Sequence, residues 1–203
     1  MSADVVVLDP QKRERRRQIL EAAKYVFAVA GYHGASIHAI IDRANIARGT
    51  FYLYFESKSA VFSSILDEAM ENLRRHMHRI DVENPNAAPP QVQLRAQIVG
   101  ARQYGVQERP LAMLLLSAGH TPDAEAAERL DQFFAEVRDL LRRAFESGQE
   151  IKLLRKLQPE LLAAAMLGMI RGVVEHIITQ PEPPTVESLV DEILLVALRG
   201  VLA

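Results

Sequence analysis

Residues 36–62 read SIHAIIDRANIARGTFYLYFESKSAVF, and this stretch decides the fold. Behind Ser36, a residue type that caps helix starts, apolar residues recur at helical spacing: Ile37, Ile40, Ile41 and Ala44. Asn45 follows, and asparagine tolerates the left-handed backbone of a helix-ending turn. The pattern predicts a short helix to residue 44, a three-residue turn and a second short helix over about 47–54. Ser57 can then cap a long helix that runs to about residue 80.

The chain before this stretch predicts one more helix, over about residues 12–30 and ending at Gly31. Its apolar face is Ile19, Ala22, Ala23, Val26, Phe27 and Ala30, and its other face is Lys12, Arg13, Arg16, Arg17 and Lys24. We expect Lys12, Arg16 and Arg17 to be solvated rather than to read DNA. Phe51 and Phe55 share a helix face because they are four residues apart. Together with Ile40 and Ile46, we expect them to pack against Ala23 and Phe27.

The remaining chain also has helical periodicity, with strand-like alternation confined to short runs such as residues 5–7. Prolines and asparagines in residues 81–90 predict a linker. Beyond it we expect helices near 91–106, 110–118, 122–147, 159–179 and 185–202. Pro110, Pro122 and Pro159 fit first-turn positions, Thr121 fits an N-cap and Gly148 fits the residue just past a helix end. The predicted fold class is all-α with about nine helices.

Composition excludes several classes of protein. The 203 residues include no cysteine, so the sequence offers no disulfide, thiolate nucleophile or iron-sulfur cluster. No run approaches the ~20 apolar residues of a membrane span. The first 17 residues place three valines and a leucine before the charges, the reverse of a signal peptide. We therefore expect a soluble, cytoplasmic protein without a membrane partner.

The net charge of -2 conceals an asymmetry along the chain. Residues 1–58 carry 9 Lys and Arg against 6 Asp and Glu, a net of +3, and residues 59–203 carry 15 against 20, a net of -5. A positive N-terminal part suits a polyanionic partner, although such charges are also typical of an ordinary solvated surface.

The two short helices around residue 45 have the form of a helix-turn-helix, whose second helix can lie in a DNA major groove. With Phe51 and Phe55 turned inward, the outward side of that second helix carries Arg48, Thr50, Tyr52 and Tyr54. These residue types suit contacts with phosphates and base edges.

The combination of Gly49-Thr50-Phe51-Tyr52, Tyr54-Phe55 and Ser57-Lys58 resembles the DNA-binding domain of the TetR (tetracycline-repressor-like) family of transcriptional regulators. The resemblance covers about residues 12–70, and the rest agrees in helix number and placement. It implies a DNA-binding domain over residues 1–56 and a ligand-binding and dimerisation domain over residues 57–203. It further implies a homodimer on an inverted-repeat operator in double-stranded DNA, most simply a repressor released by a small, largely apolar effector.

The resemblance assigns DNA contacts to Ser36, His38, Arg48, Gly49, Thr50, Tyr52, Tyr54 and Lys58. Ser36 and Lys58 match phosphate contacts, and His38 matches a position that reaches a base edge. Arg48 suits a bidentate contact with guanine and Gly49 a close backbone approach, while the other three match phosphate and groove contacts. Two positions depart from the family pattern. Ala47 stands where a serine or threonine cap is common, and Asn45 replaces the usual turn glycine.

The resemblance also implies a ligand cavity among the fourth to eighth helices and a dimer built from the last two. The predicted cavity residues are Met70, Leu73, Met77, Arg102, Tyr104, Met113, Phe133, Phe134, Val137, Met166 and Met169; a plain apolar core is the alternative for each. The predicted dimer residues are Leu161, Ala165, Gly168, Gly172, Leu189, Ile193, Val196 and Ala197; packing within one chain is the alternative.

Other function classes find little support in the sequence. His76 and His78 are two residues apart and face away from each other on a helix, so they cannot chelate one metal ion together. No zinc-protease motif, phosphate-binding glycine loop or nucleophile elbow occurs. We expect neither catalysis, nor a cofactor, nor a bound metal. A DNA-binding structural protein that answers to no ligand, or an activator of the same fold, remains the alternative to an effector-controlled repressor.

Overall fold

The computed structural model describes residues 9–77, 79–117 and 123–178, together with the single positions 192 and 195. Within these residues it has eight helices and no strand. They are α1 (Pro10–Gly34), α2 (Ile37–Ala44), α3 (Arg48–Tyr52), α4 (Lys58–His76), α5 (Pro90–Gln107), α6 (Arg109–Ser117), α7 (Ala124–Glu150) and α8 (Pro159–Ile178). The all-α class is thereby confirmed. The helix predicted over 185–202 lies outside the described residues, except that positions 192 and 195 are helical.

Helix α1 begins where Asp9 accepts a hydrogen bond from the Gln11 N–H at 3.1 Å, with proline in the first turn. It breaks at Gly31, whose φ of 67° lies in the left-handed region that glycine adopts without strain. One further turn follows and ends at Ala35. The predicted stop at Gly31 is confirmed as a break in the helix.

The first three helices share one core with the start of α4. Ala23, Phe27, Ile40 and Phe51 are completely buried, which confirms the packing expected from their spacing. The Gln18 amide donates to the Ala44 carbonyl at 2.6 Å and so ties α1 to the end of α2. In α4, Phe62 packs against two rings of the first helix region, with centroids 6.1 Å from Phe27 and 4.9 Å from Tyr32. These aromatic contacts fix α4 to the three-helix unit.

Lys24 differs from the other cations on the polar face of α1. Its side chain is only 3% exposed. Carboxylates surround the ammonium: Glu21 at 2.9 Å, Glu108 at 3.0 Å and Glu68 at 3.8 Å. Helical periodicity placed Lys24 on the polar face of α1, and it could not show that partners distant in sequence would bury it.

The linker predicted over residues 81–90 is confirmed at its centre. Helix α4 ends at His76, earlier than the predicted end near residue 80, and α5 begins at Pro90. The Asp81 carboxylate accepts hydrogen bonds from the Glu83 and Asn84 N–H groups. The Gln93 amide donates to the carbonyls of Asp81 and Ala88, at 2.7 and 2.6 Å. These bonds satisfy backbone groups that a helix would otherwise pair.

The prediction that Gly148 follows a helix end was wrong. Helix α7 continues to Glu150, and the left-handed residue after it is Lys152, with a φ of 57°. Gly148 is required for another reason: a Cβ there would lie 2.5 Å from Leu154 Cδ1 and 2.8 Å from its Cγ. The chain folds back over α7 at this point, and the Leu154 N–H donates to the Gly148 carbonyl at 3.1 Å.

At its other end, α7 begins at Ala124, two residues later than predicted, with Asp123 as its cap. The Asp123 carboxylate accepts from the Ala126 N–H at 3.1 Å. Thr121 and Pro122, the predicted first residues, lie outside the described residues. Among the described helices, none has the length and apolarity needed to cross a membrane.

Candidate DNA-binding surface

Helix α3 is short and is held in place by its aromatic side. Phe51 is completely buried and its ring centroid lies 6.1 Å from that of Phe55, which is 4% exposed. The Ala47 carbonyl accepts from the Thr50 and Phe51 N–H groups, at 2.9 and 3.3 Å. Ala47 itself offers no side-chain hydrogen bond to the helix start, as its sequence predicts. Packing, rather than capping, therefore orients α3.

The outward face of α3 brings three predicted DNA contacts together. Arg48 and Gly49 are exposed, and Tyr52 is 45% exposed. The Arg48 guanidinium carbon lies 5.8 Å from the centroid of the Tyr52 ring, so the cation and the phenol are neighbours. A Cβ at Gly49 would meet no atom within 4 Å, which leaves the backbone open to a close approach. A guanidinium, a phenol hydroxyl and a bare backbone thus form one small surface.

Thr50 and Tyr54 are less exposed than their predicted place on the outward side of α3 implies. Both are half-buried, and Tyr54 packs against the hydrophobic core. The structure places them at the rim of the α3 face rather than at its centre. Their phosphate and groove contacts stay predictions.

Helix α2 contributes Ser36 and His38. Ser36 Oγ accepts from the Ala39 N–H at 3.1 Å, which confirms its role as a helix cap, and the residue is exposed. The His38 side chain is 85% exposed, with Nε2 3.4 Å from Asp42 Oδ2. Both side chains reach solvent, and their contacts with phosphate and base edges stay predictions.

Lys58 has a structural role that the sequence analysis missed. Its ammonium donates to the backbone carbonyls of Tyr32 at 2.9 Å, Ala35 at 3.1 Å and His33 at 3.5 Å. It also lies 4.5 Å from the centroid of the Tyr32 ring. Lys58 thereby joins the start of α4 to the last turn of α1, where unpaired carbonyls attract a cation. A phosphate contact stays a prediction, and it would have to replace one of these bonds.

Leu53 is an exposed residue that the sequence analysis did not select. It follows α3 and is 82% exposed. Its spacing of four from Gly49 is the sequence signal that could have placed it on the same face. An apolar side chain in this place suits contact with a thymine methyl group.

Several of the predicted cavity residues belong to a packed apolar region. Met70 and Phe133 are 3% and 2% exposed, and four others pack against the same core: Leu73, Tyr104, Phe134 and Val137. Four further methionines that were predicted to line the cavity are half-buried: Met77, which follows α4, Met113 of α6, and Met166 and Met169 of α8. The side chain of Arg102 lies outside the described residues. Surface depressions of about 600 and about 160 Å³ lie elsewhere, at residues 156–162 and 79–83. The cavity assignment stays a prediction.

The predicted dimer residues of α8 form an exposed stripe. Leu161 is 65% exposed, Ala165 is exposed, and a Cβ at Gly168 or Gly172 would meet no atom within 4 Å. The stripe is therefore open to close approach by another helix. The predicted partners on the last helix lie outside the described residues: Leu189, Ile193, Val196 and Ala197.

Comparison with known proteins identifies the class. Residues 19–71 match the family model of bacterial regulatory proteins of the tetR family, and residues 107–202 match that of the C-terminal part of BetI-type transcriptional repressors. The chain therefore belongs to the TetR family of transcriptional regulators. The N-terminal match contains the α3 surface, and the C-terminal match contains α7 and α8.

Individual relatives agree with this class. The HTH-type transcriptional repressor KstR of Mycobacterium tuberculosis (strain ATCC 25618 / H37Rv) is 30% identical over 142 residues, which are 68% of this chain and 61% of that repressor. The fatty acid degradation regulator FadR from Bacillus halodurans superposes with a TM-score of 0.73 at 23% identity, over 92% of this chain and 95% of that one. FadR from Bacillus subtilis, solved in complex with stearoyl-CoA, superposes with a TM-score of 0.68 at 22% identity, over 91% and 98%.

Proposed function

We propose that this regulator is a homodimeric repressor of an inverted-repeat operator and that a small, largely apolar effector releases it. The observation that carries the proposal is the exposed α3 face of Arg48, Gly49 and Tyr52 on a helix fixed by buried Phe51. A rigid helix with these groups outward can enter a major groove without reorganising its own core. The named repressor KstR among its relatives supports the direction of control.

Each side chain of the α3 face has a distinct part in reading DNA. Arg48 donates two hydrogen bonds to O6 and N7 of a guanine, while Gly49 lets the backbone approach the groove closely. The Tyr52 hydroxyl donates to a phosphate, which fixes the register without reading sequence. Leu53 contacts a thymine methyl group. Base preference therefore comes mainly from Arg48 and Leu53.

Two copies of α3 are needed for a palindromic site. The open stripe of α8, from Leu161 to Gly172, supports a two-fold interface because small residues let helices approach closely. Two-fold symmetry makes the half-sites inverted, with centres roughly 34–36 Å apart.

The effector is proposed from the apolar region between α4 and α7. Methionine and aromatic side chains line it, and such side chains adapt to irregular apolar ligands. FadR from Bacillus subtilis, of similar fold, was solved with stearoyl-CoA. The two α3 helices of the dimer must have the separation of the two half-sites. A ligand that binds more tightly to a conformation with another separation lowers operator affinity by linkage.

One observation favours a second candidate, a DNA-binding protein without an effector. Met70 and Phe133 are almost completely buried against neighbouring apolar residues, as in a solid core. In that case the regulatory domain would serve dimerisation alone.

The test begins with selection of the purified full chain against a random double-stranded DNA library at low salt. We expect one inverted repeat, and recovery of no sequence would overturn the proposal. The selected operator is then titrated with protein in the presence of stearoyl-CoA, stearate or free coenzyme A. A loss of operator affinity with stearoyl-CoA or stearate, the two probes that carry a fatty chain, and no loss with coenzyme A supports an apolar effector. If none of the three probes changes the operator affinity or the melting temperature, the result favours the second candidate, a DNA-binding protein without an effector.

A further inference from the structure

The buried ammonium of Lys24 joins three helices. Its carboxylate partners come from α1 itself (Glu21), from α4 (Glu68) and from Glu108, the residue between the end of α5 and the start of α6. The Glu108 bond is 3.0 Å long and spans 84 residues of sequence. It thus connects the DNA-binding helices directly to the helices of the second domain.

The chemistry of this cluster makes it resistant to displacement. Burial lowers the pKa of the Lys24 ammonium, but the hydrogen bonds to Glu21 and Glu108 and the charge of Glu68 outweigh it, so the pKa lies above its ordinary value. The group therefore stays charged. Moving Glu108 away from α1 would deprive a buried cation of one partner and leave the Glu108 carboxylate without its counter-ion.

The same side of α5 is in contact with the predicted ligand region. Tyr104 lies one turn before Glu108, and its ring stacks on His76 of α4 with centroids 5.5 Å apart and planes 29° apart. One turn earlier still, a Cβ at Gly100 would lie 3.0 Å from His76 Cδ2, so α5 and α4 approach closely there. Residues 100 and 104 of α5 thus lie against His76 of α4, and Glu108 follows one turn beyond Tyr104. A shift of α5 therefore displaces Glu108.

We propose that Lys24 is a positioning residue that couples the positions of α5 and α6 to those of the DNA-binding helices. It thereby sets the spacing between the α3 helices of the two subunits. The inference rests on the proposed function, because it concerns a dimer on a two-part operator. Neither Lys24 nor its three partners reaches the α3 face. Their effect on DNA binding is therefore an effect on spacing and not on contact.

The test compares affinity for the selected operator with affinity for the same operator carrying one extra base pair between its half-sites. The variants are Lys24→Met, Glu108→Gln and the double variant. Arg74→Met is the matched control, because Arg74 bridges α4 to Glu136 of α7 at 2.8 Å through exposed side chains. Affinity for scrambled DNA reports whether the DNA-binding helices are intact.

We expect the wild type to prefer the original spacing and Arg74→Met to keep that preference. Lys24→Met and Glu108→Gln should each reduce it about tenfold, within the 5–150-fold range of typical couplings, and the double variant should lose no more than either single one. Scrambled-DNA affinity should not change.

Three results would overturn the inference: a wild type indifferent to spacing, a preference that Glu108→Gln leaves intact, or a parallel loss on scrambled DNA. If Lys24→Met fails to fold, Glu108→Gln decides alone, since the Glu108 side chain is 23% exposed and Lys24 keeps Glu21 and Glu68 as partners when the Glu108 charge is removed. Failure of the wild type to select any operator would instead refute the proposed function.

Discussion

Replacing Lys58 with methionine should destabilise the DNA-binding domain more than it weakens DNA contact. Methionine keeps an unbranched stem of similar length but removes the ammonium that donates to the Tyr32, His33 and Ala35 carbonyls. Hydrogen bonds to charged groups contribute about 1.5–3 kcal/mol each. Only two of the three bonds are short and the residue is half-buried, so we expect a loss of roughly 2–4 kcal/mol in the free energy of unfolding.

The loss is measured by urea unfolding followed by circular dichroism, with Lys12→Met as the control. Lys12 is an exposed cation of α1, and its replacement should change stability by less than about 0.5 kcal/mol. For a chain of this size, a loss near 3 kcal/mol corresponds to a fall of roughly 10 °C in melting temperature.

The opposite pattern would refute this reasoning. If Lys58 acts chiefly as a phosphate contact, Lys58→Met keeps its stability and reduces the salt dependence of operator binding by about two units of slope, one for each subunit of the dimer. Unchanged unfolding together with that reduced slope would show that the three carbonyl bonds do not govern the role of Lys58.

Three further outcomes are expected. Tyr52→Phe should weaken operator binding by the dimer by about 2 kcal/mol, the value of one hydrogen bond in each subunit, and unchanged anisotropy titrations would contradict a phosphate contact. Ala47→Ser should stabilise the chain to urea by about 0.5–2 kcal/mol, because it supplies the cap that α3 lacks, and a neutral result would show that packing alone fixes α3. Burial and then the charges of Asp123 and Glu125 raise the pKa of Tyr32 to about 12. Since an unfolded tyrosine titrates near 10, folding is favoured below pH ~10 and loses that contribution as pH rises towards 12. Absorbance titration of wild type against Tyr32→Phe should locate this late-titrating phenol, and a difference curve centred near 10 would refute it.

Features encoded within a few neighbouring residues could be predicted from the sequence. The caps at Ser36 and Ser57 and the left-handed conformation of Asn45 are confirmed, because each depends only on residues within a few positions along the chain. The buried positions of Phe51 and Phe55 followed from their spacing of four.

Features that depend on distant contacts could not be predicted in this way. Helical periodicity placed Lys24 on the polar face of α1 but could not show its ion pair with Glu108, which is 84 residues away in sequence. Gly148 was interpreted as following a helix end because the sequence does not show that Leu154 packs against it. That contact exists only in the folded chain. The role of Lys58 likewise depends on where Gly31 breaks α1. A spacing rule identifies the face on which a residue lies but not the element that covers that face.

The central claim, that α3 reads DNA, is tested most directly by repeating the library selection with the wild type and Arg48→Ala side by side. The account predicts the same inverted repeat from both proteins, with base preference relaxed at one symmetry-related position in each half-site of the Arg48→Ala pool, because a lost bidentate pair removes about 1–3 kcal/mol of discrimination. If the Arg48→Ala pool instead showed the same base preference as the wild-type pool at every position, the prediction would be contradicted, since Arg48 would then lie outside the base-reading surface.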